Sequence, residues 1–246
     1  MYQSSMELAD VAVANSTLRE DDGSIAVRNG DESKADACAF AVEWSDPTWK
    51  RVFDIAGAIA GLILLSPLFL LVSLIIRVGT GGPVFFRQER YGLDGEPFVI
   101  WKFRTLRTTA DQGLHVDYVK QQMQSNGGMT KLSRDAEMVP LGKWMRKLAI
   151  DELPQLLNVL TGEMSLVGPR PDVILPADYA PAHRCRFHVK PGMTGLWQVS
   201  GKNRTTFQEM MELDARYAHQ CSLWLDTFIL AKTPWAILGQ LLAATS

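Results

Sequence analysis

The sequence predicts a mainly α protein with a small β-hairpin (α+β), tied to a membrane through one apolar segment. Three observations carry this prediction. Residues 55–76 form an apolar run long enough for a hydrocarbon core of ~30 Å. Two short runs with strand character, 84–90 and 97–104, flank a turn at 91–95 that holds Gly92 and Gly95. After Asp151-Glu152, the residues Leu153, Leu156, Leu157 and Leu160 recur at spacings of three and four, which marks one buried helical face.

The first 46 residues hold ten acidic and three basic side chains. The chain carries a net charge of -2, so the remainder is basic. This opening segment has few large apolar groups and is expected to be disordered. It lacks the basic-then-apolar pattern of a signal peptide. A basic body beside an apolar anchor suits anionic lipid headgroups and phosphorylated substrates. No basic-aromatic stripe points to nucleic acid, which is not an expected partner. Cys38, Cys185 and Cys221 are widely spaced and make no CxxC or Cys/His cluster for zinc.

Within the apolar segment, Ser66-Pro67 falls near the middle, where proline removes a backbone hydrogen bond and kinks a helix. The Ser66 hydroxyl is suited to the carbonyl that is freed. Lys50 and Arg51 precede the run and Arg77 follows it, so the positive-inside tendency keeps both ends on one side. A re-entrant helix and a kinked spanning helix both fit these residues.

In the 97–104 run, period-two alternation puts Phe98, Ile100, Lys102 and Arg104 on one face. Residues 111–135 read as a polar helix followed by a loop at Gly127-Gly128. Residues 141–148 read as a helix with Trp144, Met145 and Leu148 inward and Lys143, Arg146 and Lys147 outward. Asp151 and Glu152 then open the next helix, where free N–H groups and the dipole favour negative charge. Pro154 fits its first turn. In Val167-Gly168-Pro169-Arg170-Pro171, Pro169 and Pro171 stiffen the chain around an arginine whose fork suits phosphate oxygens. The glycine-rich stretch 190–201 offers backbone N–H groups of the kind that cradle phosphates and leads into a strand-like apolar run. The tail, 222–242, is an apolar helix for a membrane surface or for the body.

No Ser-His-Asp order, Walker loop or dinucleotide glycine pattern competes with the Asp151-Glu152 pair. A carboxylate can attack phosphorus if a metal ion and nearby cations neutralise the phosphoryl oxygens. Mg²⁺ suits such a site, and Lys102, Arg104, Arg146 and Arg170 are the candidate cations.

These motifs, taken in order, resemble the bacterial sugar transferases, the monotopic polyprenyl-phosphate phosphoglycosyl transferases. The resemblance covers about residues 47–242. It rests on Lys50-Arg51-Val52-Phe53-Asp54 with Ser66-Pro67, on Arg87-Gln88 with Arg90-Tyr91-Gly92, and on Lys102-Phe103-Arg104-Thr105. It continues through Asp151-Glu152-Leu153-Pro154-Gln155-Leu156, the Gly168-to-Pro171 motif and Pro191-Gly192-Met193-Thr194-Gly195. The short form resembles the exopolysaccharide-type members.

The resemblance implies a membrane-embedded re-entrant helix with its apex at Ser66-Pro67, plus a cytoplasmic globular body with interfacial amphipathic helices. It divides the chain into a tail (1–46), a re-entrant helix (47–78) and a catalytic domain (79–242) at the bacterial inner membrane. It implies transfer of a phospho-sugar from a UDP-sugar to undecaprenyl phosphate. Asp151 is then the nucleophile, Glu152 a partner for Mg²⁺ or for a proton, and Arg170 a phosphate contact. A membrane-bound phosphohydrolase and a non-enzymatic assembly scaffold are the rival readings. The sugar is left open, and so is oligomeric state, a homo-oligomer included.

Overall fold

The structure is a computed structural model and describes residues 47–106, 120, 121, 123, 138–201 and 205–243. The expected tail at 1–46 lies outside the described residues. So, apart from Lys120, Gln121 and Met123, does the helix and loop expected over 111–135.

Helix α1 runs from Thr48 to Thr80 and is long and apolar enough to cross a membrane. It stops at Gly81, whose φ of 65° is open to glycine and whose N–H returns to the Arg77 carbonyl. Pro67 sits inside the helix and leaves the Ile63 carbonyl without its usual donor. The Ser66 hydroxyl donates to that carbonyl at 2.8 Å, as the sequence suggested. The first half of α1 buries Ala58 beside Val159 and Leu166. The second half buries Val72 and Ile76 beside Phe103 and Met145. Between and around these contacts Ile63, Leu64, Leu70 and Leu74 are exposed.

Strands β1 (Phe85–Tyr91) and β2 (Pro97–Phe103) form the expected hairpin, with Gln88 opposite Ile100. Asp94 and Gly95 both take positive φ at its tip, the backbone an Asp-Gly turn favours. Gln88, Arg90, Phe98 and Ile100 point inward. Helix α2 (Gly142–Lys147) follows. A 3-10 turn, Ile150–Gln155, leads into α3 (Leu156–Thr161). Asn158 of α3 is fully buried; it accepts from the Trp101 N–H and donates to the Val99 carbonyl. That pins α3 to the edge of β2.

Strands β3 (Ser165–Val167) and β4 (Gly192–Thr194) pair in parallel. Helices α4 (Leu196–Val199), α5 (Phe207–Gln220) and α6 (Leu223–Ala243) complete the described elements. Thr206 and Glu209 form a reciprocal capping box at the start of α5.

Several expectations need correction. Trp144 and Leu148 are exposed; only Met145 of that trio turns inward, because six helical residues offer one narrow face to the core. Arg146 is not outward; it donates to the Thr105 hydroxyl. Leu157 is 38% exposed, while Leu156 is buried. The strand-like run at 196–199 is helical. Lys50 and Arg51, read from the sequence only as flanking charges, bind within the body. Lys50 is buried and donates to Asp226, Ser165 and the Val167 carbonyl. Arg51 donates to the Val159 and Leu160 carbonyls at the end of α3.

Candidate active site

Asp151 and Glu152 occupy the first turn of the 3-10 segment, not of an α-helix. Ala149 precedes them with φ 56° and ψ 21°, a costly conformation for a residue with a Cβ, and it turns the chain out of α2. As an alanine, Ala149 offers no side-chain cap to the segment.

Glu152 is the meeting point of the expected residues. Arg170 binds it as a fork, Nη1 to Oε2 at 2.9 Å and Nη2 to Oε1 at 2.5 Å. Lys102, from the end of β2, donates to Oε1 at 3.2 Å. Planar two-point pairing fixes direction as well as charge. Asp151 lies in the field of both cations.

Burial pushes the Lys102 ammonium down to about 8; Glu152 opposes this, and Arg170 and Arg90 add repulsion. Burial also works against the Arg170 guanidinium, but Glu152 overrides it and holds the group above its ordinary value. The other two expected cations have different partners. Arg104 donates through Nε to the Leu106 carbonyl, and Arg146 through Nε to Thr105. The structure thus brings together Asp151, Glu152, Lys102 and Arg170.

Arg170 reaches Glu152 because two glycine-containing motifs pair. The Gly168 N–H donates to the Thr194 carbonyl at 2.9 Å, and the Gly192 N–H to the Pro169 carbonyl at 2.8 Å. These two N–H groups are therefore used in joining the strands. The two backbones touch so closely that a Cβ on Gly192 would lie 2.0 Å from the Gly168 nitrogen. Pro169 and Pro171 then restrict the chain on either side of Arg170.

The pair of adjacent carboxylates has donor chemistry that fits Mg²⁺, which uses one or two protein carboxylates together with phosphate and water oxygens. Among the described residues no group of three or more His, Cys, Asp or Glu side chains is placed to hold a metal. Substrate oxygens would have to complete its shell.

A bacterial sugar transferase family profile matches residues 45–240 of this chain. The chain belongs to the bacterial sugar transferase family. This sugar transferase is 42% identical over 191 residues to the galactosyl transferase CpsE of Streptococcus agalactiae serotype III (strain NEM316), an alignment that covers 77% of this chain and 42% of that protein. It is 39% identical over 187 residues to the exopolysaccharide production protein ExoY of Rhizobium meliloti (strain 1021), covering 75% of this chain and 83% of that protein. It is 35% identical over 193 residues to the UDP-glucose:undecaprenyl-phosphate glucose-1-phosphate transferase of Escherichia coli (strain K12), covering 75% of this chain and 39% of that protein. The chain thus spans less than half of two of these relatives and most of the third.

Sequence reasoning missed a second set of charges in the transferase. Arg90, Asp172, Arg186 and Asp214 lie behind Arg170. Burial lowers the Arg90 guanidinium to about 10, against the pull of Asp172. Burial would raise the Asp172 carboxyl, but Arg186 and Arg90 hold it below its ordinary value. Arg90 was legible as a charge alternating onto the apolar face of β1. Nothing in the polar run around Arg186 signals its burial.

Proposed function

We propose that this sugar transferase moves a hexose-1-phosphate from a UDP-sugar to undecaprenyl phosphate. The products are an undecaprenyl-diphosphate-sugar and UMP, the first membrane step of exopolysaccharide or other surface-glycan synthesis. The relatives support the substrate classes, since one is named for UDP-glucose and undecaprenyl phosphate and another for exopolysaccharide production. The observation that carries the chemistry is Glu152, held by Arg170 and Lys102 immediately beside Asp151.

In this reading an Asp151 carboxylate oxygen attacks the phosphorus next to the sugar. The bond from that phosphorus to UMP breaks, and an aspartyl phospho-sugar remains. A phosphate oxygen of undecaprenyl phosphate then attacks the same phosphorus, and Asp151 leaves as a carboxylate. No proton is gained or lost overall. Lys102 and Arg170 reduce the repulsion between the carboxylate and the phosphoryl oxygens. Mg²⁺, held by Asp151 and Glu152 with the diphosphate, would supply further charge neutralisation. Arg104 and Arg146 are proposed as outer phosphate contacts.

Re-entry of α1 at Ser66-Pro67, with the body on the cytoplasmic face of the inner membrane, is part of the same proposal. Its support is that both halves of α1 pack on one body, Ala58 against Leu166 and Ile76 against Met145. A straight spanning helix would carry one half away from it. Cysteines placed at residues 47 and 82 should label from the cytoplasmic side only; labelling from opposite sides would establish a span.

The chemistry is tested by UMP release over a panel of UDP-sugars with undecaprenyl phosphate and Mg²⁺. Donor alone should add the mass of one phospho-sugar to the protein. Asp151→Asn should abolish both the adduct and turnover, and chelation of Mg²⁺ should stop turnover. An adduct on another residue, or full activity in Asp151→Asn, overturns the assignment. UDP-sugar hydrolysis that ignores undecaprenyl phosphate would favour a phosphohydrolase.

A further inference from the structure

The segment that carries Arg170 is gripped from behind at three consecutive carbonyls. Arg186 Nη2 donates to the Arg170 carbonyl at 2.6 Å. Arg90 Nη1 reaches the Pro171 carbonyl at 3.4 Å. The Tyr91 N–H donates to the Asp172 carbonyl at 3.0 Å. Prolines on both sides already limit the backbone of Arg170, so these bonds leave it little freedom.

The donors are themselves held. Arg186 is 4% exposed and Asp214 of α5 is 2% exposed. Asp214 Oδ2 lies 3.2 Å from Arg186 Nη2, a charge contact that falls short of hydrogen-bond geometry. On its other side Arg186 donates to the Tyr179 hydroxyl at 3.0 Å, and that hydroxyl donates to Asp172 Oδ2 at 2.8 Å. Asp172 also lies 3.6 Å from Arg186 and 4.0 Å from Arg90. Two arginines and two carboxylates are thus largely withdrawn from water together. Buried ion clusters seldom stabilise a fold more than apolar packing of the same volume would. This one aims donors at the backbone of an active-site arginine.

We infer that Arg186 and Asp214 are positioning residues for phospho-sugar transfer: Asp214 orients the Arg186 fork, and Arg186 fixes the backbone from which Arg170 grips Glu152. The inference rests on the proposed transfer reaction. A misplaced Arg170 leaves donor affinity largely intact but misdirects charge during the transfer step. The loss then appears in kcat before KM. Lysine in place of Arg186 keeps the charge but cannot serve the Arg170 carbonyl and the Tyr179 hydroxyl with one planar fork.

The test is a double-mutant cycle in the full-length protein with UDP-sugar, undecaprenyl phosphate and Mg²⁺. Arg186→Lys should lower kcat about 10- to 100-fold with KM for the UDP-sugar changed less than about twofold. In an Arg170→Ala background the same change should cost less than about twofold, because its route of action is already gone. Asp214→Asn, close to isosteric, should behave in the same way and serves if Arg186→Lys does not fold. Equal, additive losses in both backgrounds overturn the inference. So does a loss carried by KM alone. Wild-type protein that releases no UMP from any UDP-sugar overturns the transfer reading itself. Additive losses in an active enzyme overturn only the positioning role.

Discussion

At Glu152 one carboxylate meets a guanidinium fork and an ammonium. Replacing it with glutamine keeps the shape but removes the charge that both partners answer. Glu152→Gln should abolish most transfer activity and cost about 2 kcal/mol in stability, read from denaturant unfolding, since hydrogen bonds to charged groups contribute ~1.5–3 kcal/mol. A variant as stable and active as wild type would refute the role given to Glu152. Asp214 makes a prediction in pH. Burial raises its carboxyl to about 6, Asp172 adds to the rise and Arg186 opposes it. An unfolded chain releases that proton near pH ~4. Between these values the folded protein holds more protons than the unfolded one. This contribution is complete below about pH 4 and is lost as pH rises through about 6. Melting temperatures from pH 4 to 7 should therefore respond less to pH in Asp214→Asn than in wild type.

At the level of elements, the short parallel pair β3–β4 delivers Arg170. Gly168, Gly192 and Gly195 allow it, since a Cβ on any of them would meet backbone atoms at 2.0–2.3 Å. Gly192→Ala should force the strands apart, cost about 2 kcal/mol or more, and reduce activity with it. Thermal unfolding together with the UMP assay would show both losses. Loss of neither would mean that the strand pairing does not set the site. The sequence singled out both glycine motifs but assigned the second a phosphate-binding turn. The two motifs pair with each other, and strand pairing across more than twenty residues has no local signature. Helix α2 failed for a related reason. Its periodicity was read as though a body lay on the Trp144 side. The core lies only on the Met145 side, and Trp144 stays exposed beside Lys147, whose ammonium lies 5.5 Å from its ring.

Across the whole molecule, one buried polar cluster joins α1 to the body. Lys50 reaches Asp226 at 2.6 Å; Ser165 donates to Asp54 at 3.0 Å; Tyr217 donates to Asp226 at 2.7 Å. Four elements, α1, β3, α5 and α6, meet there. Lys50→Met leaves buried carboxylates without their cation and should cost about 3–5 kcal/mol. Unfolding in detergent or lipid discs would measure this. Adding Asp226→Leu should recover much of the loss, and no recovery would argue against the ion pair as its cause. Around this cluster, α1 exposes Ile63 and Leu64 while α6 exposes Trp224 and Trp235. Together these groups suit the membrane attachment proposed above.

Local order along the chain was enough for the family, the apolar helix and its Ser66 repair of the proline gap, the hairpin, and the candidate set Asp151, Glu152, Lys102, Arg104, Arg146 and Arg170. Those features rest on local order: hydrophobic period, turn chemistry, and cations and carboxylates within short motifs. The tertiary structure alone decided which cations meet Glu152, that Lys50 turns inward, and that Arg186 and Asp214 stand behind Arg170. Each of those contacts joins residues 16–176 positions apart. Burial in a shared interior then selects among charges that look equivalent along the chain.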